Sequence, residues 1–317
     1  MNFIKKNWIT TGFLQTLISE SKKNKKIIVL DADLADDAQL YQFQKKFPNR
    51  FIQNGIAEQD MVSTAGGLAL SGLLPVVNSF SSFLISRANE QIFNNSSEKT
   101  KIIYICLYAG IIPAAAGKSH QSFRDISLLS NIPRIRIFNP FNFYEAQEIL
   151  KYCINFEKLN CAIRLNLGSP PDNKIFLKKF KFKPGEGIIL KALGNHGLII
   201  TYGQYLINEA IDALEILSKE RLKLTLVNLS SLNFFSHKWI KNISRKFKKI
   251  FLVEDHYKTG GMSDQFINFL IEKKISSKLQ IKKIALNDFP HCGEPQEVLK
   301  IHGLDKNSLV REIKKLY

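Results

Sequence analysis

The chain is predicted to be α/β: a doubly wound, helix-covered parallel sheet followed by a smaller α/β domain. Short apolar runs that read as buried strands alternate with segments of helical apolar period, the pattern of parallel sheets with helices on both faces. The alternation is interrupted by a stretch rich in Pro, Gly and Lys and then restarts, and 317 residues exceed the usual size of one domain.

In order, KKIIVLDADL (25–34) is an apolar run ending in acids, as expected of a parallel strand that delivers its carboxyl end to a site. Residues 59–71 carry helical spacing, LLPVVNSF (73–80) a strand, and FLISRANEQIFNN (83–95) helical spacing again. KIIYICLYAG (101–110) and RIRIFNP (134–140) read as strands, FRDISLLSN (123–131) and NFYEAQEILKYCI (142–154) as helices, and CAIRLNL (161–167) closes the unit. The first domain is therefore set at 1–168, the linker at 169–187 and the second domain at 188–317. In the second domain strands are expected at 197–203, 222–230, 249–256 and 279–286, and helices at 204–218, 237–246, 260–273 and 306–316.

Composition is globular, with 45% hydrophobic and 23% charged residues. The early lysines of MNFIKKNWITTGFLQTLISES are followed by no continuous apolar region, and the apolar stretch near 67–77 is too short to span a bilayer. A soluble, cytoplasmic protein with no membrane partner is expected. Cys106, Cys153, Cys161 and Cys292 form no CxxC pair and read as reduced core thiols. The net charge of +17 comes from lysines dispersed along the chain, without the interleaved Arg and aromatic residues that read bases, so no nucleic-acid partner is expected.

The segment NGIAEQDMVSTAGGLALSGLLPVVNSF (54–80) places one acid, Glu58, at the entrance to an apolar run. Alone, such a residue is a first-turn acid stabilised by its helix dipole. The longer stretch GIAEQDMVSTAGGLALSGLLPVVNSFSSFLISRANEQI lies between LDADLADDAQLYQFQKKFPNRF and GKSHQSFRDISLLSNIPRIRIFNP. Together they resemble the pyrimidine-binding domain of the thiamine-diphosphate enzymes of the transketolase family. GNHGLIITYGQYLINEAIDAL and FLVEDHYKTGGMSDQF are similar to that family's C-terminal domain. The resemblance covers almost the whole chain in the family's order. It is strongest to the separate C-terminal subunit of two-chain transketolases; deoxyxylulose-phosphate synthase and the beta subunit of 2-oxo-acid dehydrogenases are more distant.

The resemblance implies a role for each matching residue. Glu58 would bond N1' of the cofactor's aminopyrimidine and favour the tautomer whose 4'-nitrogen deprotonates the thiazolium. Ile56, Phe80 and Phe83 would contact the cofactor, the rings packing on its flat heterocycle. His120, in GKSHQSF, would serve catalysis near the reacting carbon. Tyr108, Lys118, Gln121 and Arg87 would face substrate, and no metal ligand is assigned to this chain. No GDG motif occurs, so diphosphate and Mg2+ would be held mainly by an N-terminal partner subunit, in an α2β2 assembly.

Several sugar-phosphate positions depart from the family: Ala116 stands for Asp, Lys118 for Pro, Tyr108 for His and Leu167 for Arg, the Arg expected near Thr10 is absent, and Asp36 and Asp37 replace small residues. A phosphate there would meet acids and lose a bidentate donor. The implied function is transfer of a two-carbon unit on a non-standard small molecule rather than on pentose phosphates. Two other readings stay open: the beta subunit of a 2-oxo-acid dehydrogenase or a deoxyxylulose-phosphate-synthase-like enzyme, and a non-catalytic regulatory subunit. Glu254, Asp255, His256, Gly260 and Gly261 are expected to serve domain and dimer packing.

Overall fold

The computed structural model describes residues 8–112, 114–166, 181–275 and 278–317. The expected linker up to residue 180, and Leu167, lie outside the described residues. The first unit runs α1 (Ile9–Lys23), β1 (Ile27–Asp31), α2 (Tyr41–Lys46), β2 (Phe51–Gln53), α3 (Glu58–Leu70), β3 (Leu74–Phe80), α4 (Ser81–Arg87), α5 (Asn89–Ser97), β4 (Ile103–Leu107), α6 (Asp125–Ser130), β5 (Ile135–Phe138), α7 (Phe143–Asn155) and β6 (Asn160–Leu165). Its strands form one parallel sheet in the order β2-β1-β3-β4-β6-β5.

Both faces of that sheet are covered, as the near-continuous apolar strands require. Along β4, Ile103, Ile105 and Leu107 point to one core with Phe13, Leu17 and Ile149, while Tyr104 and Cys106 point to the other with Met61, Leu84 and Ile126. The strand order reverses between β1 and β3, which opens a crevice at their carboxyl ends.

The second unit runs β7 (Ile188–Ala192), β8 (Leu198–Thr201), α8 (Gln204–Lys219), β9 (Thr225–Asn228), α9 (His237–Lys246), β10 (Lys249–Tyr257), α10 (Met262–Glu272), β11 (Gln280–Leu286), α11 (Pro295–Ile301) and α12 (Lys306–Lys314). Its sheet has the order β11-β10-β8-β9-β7, parallel except for the β7–β9 pair. One apolar cluster is continuous through both units, joining Tyr104 and Ile126 to Tyr202, Leu252 and Phe266. The exposed edge of β5 is also closed by the second unit: Asn139 N donates to Ser230 O at 2.9 Å and Leu232 N to Ile137 O at 2.9 Å.

Four expectations change in detail. The segment 83–95 is two helices, broken at Ala88 where no Gly or Pro marks the break. Helix α1, a segment to which the sequence reading assigns no element, packs closely enough that a Cβ on Gly12 would lie 2.3 Å from Phe143 O. Strand β7 follows the expected linker directly. Cys106, Cys153 and Cys161 are buried free thiols, whereas Cys292 is exposed and is not a core thiol. No helix among the described residues is long and apolar enough to cross a membrane.

Candidate active site

The crevice gathers the carboxyl ends of β1, β3 and β4 with the start of α3. Glu58 opens α3 and is only 4% exposed, so its charge is held at a helix N-terminus and away from bulk water. Arg87, the last residue of α4, brings Nη1 to 3.2 Å from both Oε1 and Oε2 of Glu58. Its guanidinium also lies over Phe83, 4.1 Å from the ring centroid. Arg87 is half exposed, so this pair is partly screened, but it supplies the partner the buried carboxylate needs.

Phe80 ends β3 and Phe83 follows one turn into α4, their ring centroids 5.7 Å apart. Tyr108 packs on Phe80 at 4.6 Å, and His120 meets Phe80 at 5.8 Å and Phe83 at 5.1 Å, both edge to face. The structure thus joins Glu58, Arg87, Phe83, Phe80, Tyr108 and His120 through successive contacts. Tyr108 holds φ +54, an uncommon value for a residue with a side chain. Burial raises its phenol above the ordinary range, and the charge of Asp37 raises it further.

The loop carrying His120 is tied down along its length. Gly110 and Ser122 exchange backbone bonds of 3.1 and 2.8 Å, and Gly117 turns the chain with φ +75 so that His120 N reaches Gly117 O at 3.0 Å. Ser119 Oγ lies 3.0 Å from His120 Nδ1, which fixes the ring. The second unit holds the same loop: Gln121 Nε2 donates to Ile111 O at 2.9 Å and to His291 O at 3.0 Å, and Cys292 Sγ lies 3.0 Å from Ala115 O.

Beneath the loop, Arg164 is fully buried and donates to Asp125 (3.0 Å), Asn139 (2.8 Å) and Asp255 (3.3 Å), while Ser81 Oγ donates to Asp125 at 2.8 Å. Ser127 N donates to His256 Nε2 at 3.2 Å. Asp255 and His256 therefore do bind the two units together. Glu254 instead accepts from Ser263 N within its own unit, and burial pushes its carboxyl up to about 7.

The remaining site expectations divide: Lys118 and Gln121 line a cavity beside Phe83 and Arg87, whereas Ile56 does not. Gln121 is 3% exposed and its Nε2 is committed to the seam between units, so it packs as a tie; its amide oxygen has no partner among the described residues. Ile56 is 74% exposed on the loop before α3. Lys118 leans over Phe289 of the second unit, 5.9 Å from the ring centroid. Thr10 is buried and accepts from Gln39 Nε2 at 2.9 Å, and Asp36 and Asp37 are exposed beyond β1.

A cavity of about 810 Å³ opens beside Phe83 and Arg87 and is walled by Lys118, Ser119, Arg124 and residues 287–289. Sequence reasoning passes over Arg124, Asp288 and Phe289. Arg124 lies within the family-like segment around His120 but carries no role there, and residues 287–289 meet the site only because β11 ends beside it.

Comparison with known proteins places this arrangement. The family model for the transketolase pyrimidine-binding domain matches residues 6–169, and that for the transketolase C-terminal domain matches 185–309. A putative transketolase C-terminal section of Methanocaldococcus jannaschii is 32% identical, with 95% of this chain and 94% of the relative aligned. One subunit of the apulose-4-phosphate transketolase of Actinobacillus succinogenes is 29% identical over 94% of each chain. A 1-deoxy-D-xylulose-5-phosphate synthase of Clostridium perfringens is 30% identical, and this chain spans about half of its length, 49%. Among solved structures, a split-gene transketolase described as an inactive beta4 tetramer superposes with TM-score 0.84 at 27% identity, covering 97% of each chain. The Campylobacter jejuni transketolase shares the fold, with TM-score 0.78 at 18% identity over 99% of this chain and 48% of that one. Both domain models match in sequence order, a relative 32% identical aligns over more than nine-tenths of each chain, and the chain belongs to the transketolase family.

Proposed function

We propose that this chain is the C-terminal subunit of a two-chain, thiamine-diphosphate-dependent transferase that moves a two-carbon ketol or acyl unit and works only with an N-terminal partner. The observation that carries the reading is the buried Glu58 carboxylate joined, through Arg87 and Phe83, to the ring cluster of Phe80, Tyr108 and His120. These residues fit one half of the cofactor. Glu58 has two oxygens and, among the described residues, a single cationic partner, so it keeps acceptor capacity for a heterocycle edge, and the phenylalanine rings offer an apolar wall. The diphosphate half does not fit here: the sequence has no GDG motif, and among the described residues no group of three acidic, His or Cys side chains is placed to hold a metal. Mg2+ and the diphosphate fall to the partner, and an α2β2 assembly gives each site both halves.

When bound, thiamine diphosphate supplies a carbon nucleophile that breaks and forms carbon–carbon bonds beside a carbonyl. This chain's part is to set proton positions around it. Glu58 holds or shares a proton at the pyrimidine edge, Phe80 and Phe83 exclude water, and His120 donates to or accepts from a substrate oxygen. Arg87 holds the Glu58 carboxylate, and Tyr108 closes the β4 side.

The substrate reading is a non-standard small molecule. Asp36, Asp37 and Tyr108 stand where a sugar phosphate would need cationic or small partners, and Asp37 already raises the Tyr108 phenol. The second reading, a synthase-like activity, draws on the half-length similarity to deoxyxylulose-phosphate synthase. Glu58→Gln in the complex co-purified with its partner tests the central role. Two-carbon transfer, followed by product formation from hydroxypyruvate and an aldehyde panel, is expected to fall about 10²- to 10⁴-fold with the fold intact; full activity in the variant would remove Glu58 from the mechanism.

A further inference from the structure

The cavity beside Phe83 has a charge pattern that the transfer chemistry does not use. Arg87 is committed to Glu58, and the buried Arg164 to Asp125 and Asp255. Arg124 and Lys118 line the same cavity, and among the described residues neither has a carboxylate within ion-pair distance. Arg124 is exposed, and its guanidinium makes a 3.3 Å contact from Nη2 to Ser86 Oγ. Lys118 rests over the edge-packed Phe289, itself 65% exposed. Asp288 is the cavity's carboxylate, and its Oδ1 accepts from Phe289 N at 2.7 Å.

We propose that this cavity binds an anionic group of the substrate, with Arg124 and Lys118 as the charged donors, Ser86 and Ser119 as hydroxyl donors, and residues 287–289 of the second unit as the outer wall. The inference rests on the reading that the neighbouring rings hold the reacting centre. A planar guanidinium with free N–H groups matches the geometry of a carboxylate or phosphate, and a mobile ammonium beside it adds charge without fixing orientation. The ends of the ring cluster differ in sign. Its Tyr108 end feels Asp37, and its Phe83 end opens on unpaired cations, so an anionic tail is repelled from the first and drawn to the second. The substrate's anion is thereby recognised partly by the C-terminal domain, through Phe289 and the segment that Gln121 and Cys292 tie to the His120 loop.

The test uses saturation-transfer NMR of the full chain with three probes: D-gluconate, D-ribose 5-phosphate and neutral D-ribose. Binding of gluconate, of the phosphate or of both, each well above D-ribose, is expected, and which of them binds tells carboxylate from phosphate recognition. Arg124→Gln with Lys118→Gln should weaken that binding about 10-fold or more. Phe289→Ala, at an exposed position that spares the fold, should weaken it less. Probes that bind no better than D-ribose, or a double variant that binds unchanged, would overturn the proposal. Thiamine diphosphate titrated into the double variant with its partner separates the two readings. Retained cofactor binding assigns the loss to the anion site, whereas a wild-type complex that takes no cofactor defeats the transferase reading and leaves the probe result standing.

Discussion

Single residues set the site through close approach and buried charge. Gly110 sits at φ +80 where a Cβ would fall 1.8 Å from Asp255 Oδ2, so the loop can pass over the second unit only without a side chain. Arg164 below it neutralises Asp125 and Asp255, which are 1% and 7% exposed. Arg164→Ala leaves two buried carboxylates without a cation. It is expected to lower stability by about 3–5 kcal/mol in urea unfolding and to loosen the His120 loop through Asp125; a midpoint unchanged from the parent would contradict the clasp. Glu58, Phe80, Phe83 and His120 could be singled out because each lies in a short motif, and the structure gathers them in one crevice, three at the junctions of β3, α3 and α4 and His120 on the loop after β4. The Glu58–Arg87 pair was not, since the two are brought together only when β3 and α4 fold between them. Arg164 carried no local signal beyond a charge inside an apolar run.

At the scale of elements, the strands that point both faces into a core were readable from their apolar runs and the longer helices from their apolar period, whereas α11 was passed over although Glu294 and Glu297 form a capping box at its start. Helix α7 starts where Asn142 Oδ1 accepts from Glu145 N at 2.9 Å, one residue beyond the expected start. The short β2 offers three residues and no pattern, and the α4–α5 break has no Gly or Pro to announce it. Helix α7 also carries a titrating group into the seam: Glu145 accepts from Asn228 of β9, and burial pushes its carboxyl up to about 7. The folded chain keeps that proton at pH values where the unfolded chain, near 4.5, has lost it. Its stabilising share is therefore complete below about pH 4.5 and is lost as pH rises through about 7. Buried His256 acts in the opposite direction, its imidazole lowered by burial, so a difference between variants is needed. Thermal unfolding of Glu145→Gln against the parent should show the variant gaining on the order of 2 kcal/mol relative to it between pH 5 and 7.5. Parallel curves would mean that Glu145 does not titrate in this window.

For the whole molecule, two sheets share one apolar cluster and the second unit reaches back to the site through Asp255, His256, His291 and Cys292. The two-unit α/β plan was legible from alternation and restart. The contribution of residues 287–292 to the site was not, because it depends on how the sheets dock. The central claim concerns a half-site: cofactor contacts on this chain, diphosphate and Mg2+ contacts on another. Calorimetric titration of thiamine diphosphate with magnesium, first into this chain alone and then into the complex co-purified with its partner, addresses it most directly. Tight binding in the complex and weak or absent binding to the chain alone is the expected result; equally tight binding to both, or none to either, would contradict a shared site.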